Sequence, residues 1–171
     1  MKRKAVTSIL IAIFALAGLY LYADRSVIAL KTGMTLPLQW DNPYRKEEAI
    51  RLTQHNQGFS APTVKITPLY YLPESKKLQF GLWYSKRKYH PALSPKIPDR
   101  IFQVSVRGKN GRIFDNDNVI ETSGVFDEFQ RRSIAIDLSD QDSIEITISL
   151  IEQDGTLITP IKSSSFNVQL K

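Results

Sequence analysis

Nineteen uncharged, mostly apolar positions, Ala5 to Ala23, follow the cationic triplet Lys2, Arg3, Lys4 near the start of the chain. At 1.5 Å of rise per residue they reach about 28 Å, close to the hydrocarbon thickness of a bilayer. The pattern predicts a transmembrane signal-anchor over 5–23 behind a basic leader, 1–4. Tyr20 and Tyr22 fall where an interfacial aromatic belt would lie. The alternative is a cleaved signal peptide, because the ten-residue run Ala5–Phe14 is followed by the small-x-small triplet Ala15-Leu16-Ala17. The apolar continuation through Gly18 to Tyr22 favours the retained anchor. A core helix of a soluble domain is the weakest of the three, since it rarely needs so long an uncharged run behind a basic leader.

Residues 24–60 read as a stalk or leader: 25–42 carry no sustained period, are interrupted by Gly33 and Pro37, and offer at most one edge strand. Asn42-Pro43 resembles an N-cap followed by proline at the first helical turn, so a short helix is expected over roughly 43–55. From Thr63 the pattern changes to period two. Val64 and Ile66, extended by Leu69 to Leu72, form one run, Pro73-Glu74-Ser75 turns the chain, and Leu78, Phe80, Leu82 and Tyr84 alternate with Lys77, Gln79, Gly81 and Trp83. Further strands are expected over 101–106, 112–114, 119–121, 125–129, 133–138, 144–151, 156–161 and 165–170. Gly108-Lys109-Asn110-Gly111 and Asp154-Gly155 supply turns. The clearest alternation is Ile144, Ile146, Ile148 and Leu150 against Glu145, Thr147 and Ser149.

Short strands joined by turns rather than helices give an all-β reading: an immunoglobulin-like antiparallel β-sandwich over 61–171, preceded by the N-terminal transmembrane helix or signal peptide. Trp83 stands in for the core tryptophan of such domains only by loose analogy, and their cysteine pair is missing. Architecture of this kind hosts many functions and selects none.

The chain has 171 residues, with 23 Lys and Arg, 17 Asp and Glu, and no Cys. That is one domain's worth of chain beyond the leader. Without cysteine there is no disulfide framework, thiolate nucleophile or Cys-ligated metal. Three cations before the apolar run and a nearly neutral Asp24-Arg25 pair after it orient the segment, with 1–4 cytoplasmic and the rest outside. The expected location is therefore the cell membrane, single-pass, with the C-terminal domain extracytoplasmic; secretion after cleavage is the alternative. Residues 25–171 carry 20 basic and 16 acidic side chains, a net +4. This is too little for a nucleic-acid stripe, so no nucleic-acid partner is expected.

Four local features could carry chemistry. Lys86, Arg87, Lys88, Tyr89 and His90 form a basic cluster with an aromatic neighbour, suited to an anionic polymer, lipid headgroups or a protein partner. A solvated loop is the plainer reading of such a run. Asp115-Asn116-Asp117-Asn118 opens like a calcium loop but places Val119 at position five and lacks the glycine at six, which leaves a polar turn. Asp137, Asp140 and Asp142 with Ser139 and Ser143 suggest an acid cluster or, more simply, turns in which side chains accept from backbone amides. His55 and His90 are the only imidazoles, and the chain holds no Gly-x-Ser-x-Gly elbow, His-x-x-x-His pair or phosphate-binding loop. The expectation is a non-catalytic interaction module of the cell envelope, anchored by a single span and binding an envelope protein or anionic polymer. No cofactor, metal or catalytic residue is expected. The alternative is an envelope hydrolase using His90 with nearby carboxylates. The loop 85–99 carries Pro91, Pro95 and Pro98 and is long for a compact domain, which makes it the expected contact region.

Overall fold

The computed structural model describes residues 2–42, 44, 46–89 and 101–170. The fold is mostly β, with two open antiparallel sheets and an apolar helix at the N-terminus. Helix α1 (Lys2–Ala23) ends at Asp24, and α2 (Arg25–Thr32) continues at once. The strands are β1 (Ile50–Arg51), β2 (Gln57–Ser60), β3 (Thr63–Ile66), β4 (Tyr70–Leu72), β5 (Lys77–Ser85), β6 (Phe102–Gly108), β7 (Ile113–Phe114), β8 (Asp117–Ser123), β9 (Asp127–Ala135), β10 (Ser143–Asp154) and β11 (Leu157–Gln169).

In the first sheet β5 is central. β9 and then β8 lie along one edge of it, while its other edge is shared by β4 (with β1 outside it) and β3 (with β2 outside it). The second sheet runs β11-β10-β6-β7. Period-two alternation sends Leu78, Phe80 and Leu82 of β5 to the same interior as Val104 and Val106 of β6 and Ile144, Ile146 and Ile148 of β10. The two sheets thus close over one apolar core.

The other face of β5 is buried as well. Val27 and Leu30 of α2 cover Trp83 and Phe129, whose rings stack 6.0 Å apart. Trp83 therefore lies under a helix, outside the core between the sheets. Gly81 makes this packing feasible, because a Cβ there would sit 2.1 Å from Cζ of Phe129. Beyond α2 the chain is pinned across the sheet by a reciprocal pair. Gln39 N–H donates to Oε1 of the fully buried Gln79 at 2.7 Å, and Nε2 of Gln79 donates back to the Gln39 carbonyl at 2.9 Å.

Three local expectations change. The short helix lies at Arg25–Thr32 and is absent from the described part of 43–55. There, Ile50 and Arg51 pair with Tyr71 and Tyr70, and the Glu47 carboxylate accepts from the amides of Glu74 and Ser75 in the β4–β5 turn. Residues 125–129 and 133–138, expected as two strands, belong largely to one. Arg131 and Arg132 break the apolar pattern, yet Arg132 is wholly buried between the sheets, paired with Asp117 and donating to the Phe102 carbonyl at 3.0 Å. β11 is likewise continuous across the polar stretch Lys162–Ser165, where hydroxyls pair across to β10: Thr147 with Ser165 at 2.7 Å and Ser149 with Ser163 at 2.8 Å.

Candidate functional site

The register Ser85↔Asp127 and the 5.0 Å contact between the rings of Tyr84 and Phe102 bring the end of β5, the start of β9 and the start of β6 to one end of both sheets. Leu150↔Phe102 adds the root of the β10–β11 arm. The β5–β6 connection, the β8–β9 turn and this hairpin consequently share an end of the molecule.

An open cleft of about 600 Å³ lies beside this end. It exists because β3 pairs with β5 only at Lys65↔Trp83 and Ile66↔Leu82; past those two rungs the strands part, with Thr63 and Val64 on one side and Tyr84 and Ser85 on the other. Phe59, Trp83 and Tyr84 supply aromatic walls, and Ser60, Thr63 and Ser85 line it with hydroxyl-bearing residues. Lys31, Lys65 and Lys88 contribute three cations against one carboxylate, Asp127. Lys31 is already paired with Asp127. Among the described residues Lys65 and Lys88 have no carboxylate in ion-pair contact, so the cleft carries surplus positive charge. Burial, with Glu128 and Glu121 nearby, pushes the Tyr84 hydroxyl up from its ordinary pKa, so it stays protonated. Such a cleft suits an anionic group attached to a planar or apolar body.

The basic cluster divides into distinct roles. Lys86 is structural: its N–H donates to the Phe126 carbonyl at 2.9 Å, its ammonium donates to the Gly124 carbonyl at 2.6 Å and to Ser123, and Glu128 lies 3.4 Å away. Tyr89 packs edge-on to Tyr84 and Phe102 at 5.7 and 5.2 Å, and its hydroxyl accepts from Thr63 N–H at 2.7 Å. Arg87 is exposed, and Lys88 reaches the cleft. His90 and the rest of the connection to Arg100 fall outside the described residues, and with them the hydrolase alternative.

Elsewhere three of the carboxylates noted in the sequence are engaged. Asp117, in the stretch resembling a calcium loop, is buried against Arg132. Asp137 accepts from Lys76 and from the amide and hydroxyl of Ser139, which is the turn expected from the sequence, while Asp142 pairs with Lys109. His55 lines a shallow pocket with no carboxylate among its described walls. Among the described residues no cluster of His, Asp and Glu has the makings of a metal site.

Lys31, Lys65, Phe59 and Trp83 were not anticipated as a site. Alternation does place Lys65 opposite Val64 and Ile66, and Trp83 opposite Leu82 and Tyr84. What brings them together is the β3–β5 register, which no local pattern encodes. No protein-family model matches the chain, and neither does any curated protein or solved structure.

Proposed function

We propose that this protein is a non-catalytic binding module of the cell envelope, held by one membrane span with its β-domain on the extracytoplasmic side. The observation that carries the reading is α1. Its stretch Val6–Ala23 is apolar, long enough to cross a bilayer, and holds no buried residue. A helix apolar on every side is stable in lipid and costly in water. Lys2, Arg3 and Lys4 retain its start in the cytoplasm.

The domain reads as immunoglobulin-like. Taking β4, β5, β6, β7, β8, β9, β10 and β11 as A, B, C, C′, D, E, F and G gives the sheets A-B-E-D and G-F-C-C′, the orders of that architecture. On this reading the B–C, D–E and F–G connections share one end, the end used for recognition in variable domains. The adjoining cationic cleft is the proposed seat for an anionic segment of an envelope polymer or protein.

Two measurements test this. The full-length protein is expected to stay with membranes through a carbonate wash; a soluble species beginning near Gly18 would overturn the anchor. The pair Lys65→Glu and Lys88→Glu is expected to abolish retention on immobilised polyphosphate at physiological salt while leaving thermal unfolding unchanged. Undiminished retention would remove the cleft from consideration.

A further inference from the structure

The tip of the β8–β9 hairpin, Gly124-Val125-Phe126, exposes two adjacent apolar side chains, Val125 at 53% and Phe126 at 54%. It is held against the end of α1. The Tyr20 and Phe126 rings lie 5.4 Å apart. Asp24, only 2% exposed, accepts from Val125 N–H at 2.7 Å. Gly124 sits so close that a Cβ would approach Oδ2 of Asp24 to 2.9 Å. The tip is held to the helix by a satisfied carboxylate, a ring contact and a close approach that a Cβ at Gly124 would crowd.

We propose that this tip is a membrane-seating wedge, with Val125 and Phe126 immersed in the interfacial layer of the leaflet from which α1 emerges. The inference rests on the reading that α1 spans the bilayer. Tyr20 precedes Asp24 by one turn, about 6 Å of helix rise. A ring packed on Tyr20 shares its depth, and that depth is the headgroup–acyl boundary where aromatic side chains are most favourable. Any occupant of this patch must fit beside the last turn of a lipid-embedded helix, which selects lipid over a soluble partner.

The charges around the tip agree. Arg25 stacks 4.5 Å over the Tyr22 ring, Lys86 is bonded to the Phe126 and Gly124 carbonyls, and Arg87 is exposed next to it. Arg25 and Arg87 stand at phosphate level, while the nearby carboxylates face other groups: Asp24 the hairpin amide, Asp127 Lys31, and Glu128 Lys86. The domain then rests on the surface in one orientation instead of swinging from a tether.

Because the chain has no cysteine, single labels can be placed at will. The test uses the full-length protein in phosphatidylcholine–phosphatidylglycerol bilayers, spin-labelled in turn through Leu16→Cys, Val125→Cys, Phe126→Cys and Asn110→Cys, with relaxation by oxygen compared against a water-soluble nickel complex. Val125 meets Asp24 through its backbone amide, so labelling at 125 is expected to leave thermal unfolding unchanged, whereas Phe126→Cys also removes the ring contact with Tyr20 and is read beside it. Labels at 125 and 126 are expected to show an oxygen-to-nickel ratio several-fold above that at 110 and below that at 16. If the tip labels match 110 while 16 remains in lipid, the wedge is overturned and the span stands. If 16 is itself aqueous, the span is overturned and the wedge with it.

Discussion

Arg132 is the largest fully buried side chain, a guanidinium set between two sheets of aliphatic residues and paired with Asp117. Removing one partner of a buried pair leaves an uncompensated charge in low dielectric, so Asp117→Ala is expected to lower unfolding stability by about 3–5 kcal/mol, read by urea denaturation. Gly81 makes a complementary case. The added methyl of Gly81→Ala would collide with Phe129, a fully buried ring held under α2, and about 1–3 kcal/mol of destabilisation is expected from the same measurement. Asp137 gives a pH-dependent effect. Its pKa falls to about 2, chiefly because the Lys76 ammonium hydrogen-bonds to it, with the Ser139 amide and hydroxyl assisting. A carboxyl more acidic folded than unfolded contributes stability that is present above its ordinary pKa near 4 and is lost as the pH falls through about 2. Wild type is therefore expected to lose stability relative to Asp137→Asn between about pH 4 and 2, by a small amount because the pair is exposed, and the two should converge below that window.

Among the elements, β10 was the most legible and bears the strongest prediction. Ile146 is fully buried whereas Thr147 faces outward, bonded to Ser165. Ile146→Ala is expected to cost about 2–5 kcal/mol, and Thr147→Ala a small fraction of that. Strands with one wet face could be read from alternation alone because each position reports which way it points. β9 could not, since its inner face carries Gln130 and Arg132 in place of aliphatics, and β11 could not, since Ser164 stands opposite Ile148 where the pattern needs an apolar residue. α2 was invisible for a different reason. Two turns contribute only Val27 and Leu30 to a core, too few to set a period, and the helix exists because Trp83 and Phe129 offer it a surface. The expected helix at 43–55 failed on the same principle, since pairing with β4 outweighed a favourable N-terminal signal. The cleft was legible only in parts. Lys65 could be assigned to a face by alternation, but Lys31 lies on the helix that showed no period and Lys88 in the turn after β5, and their convergence depends on where β3 and β5 part company.

For the whole molecule, the Asp24 contact joins residues 101 positions apart in the chain. At about 5–20 residues per second, synthesis needs roughly 5–20 s to deliver Val125 after Asp24 has appeared. Throughout that interval the end of α1 has no partner in the chain behind it, and its carboxylate must remain hydrated. The contact that fixes the helix to the domain therefore becomes available only well into synthesis, although its first half is among the earliest residues made. Biogenesis is thus divided in time. Any peptidase or insertion machinery that acts on the end of α1 meets a pliant segment early, whereas one arriving after the hairpin has closed meets a finished joint.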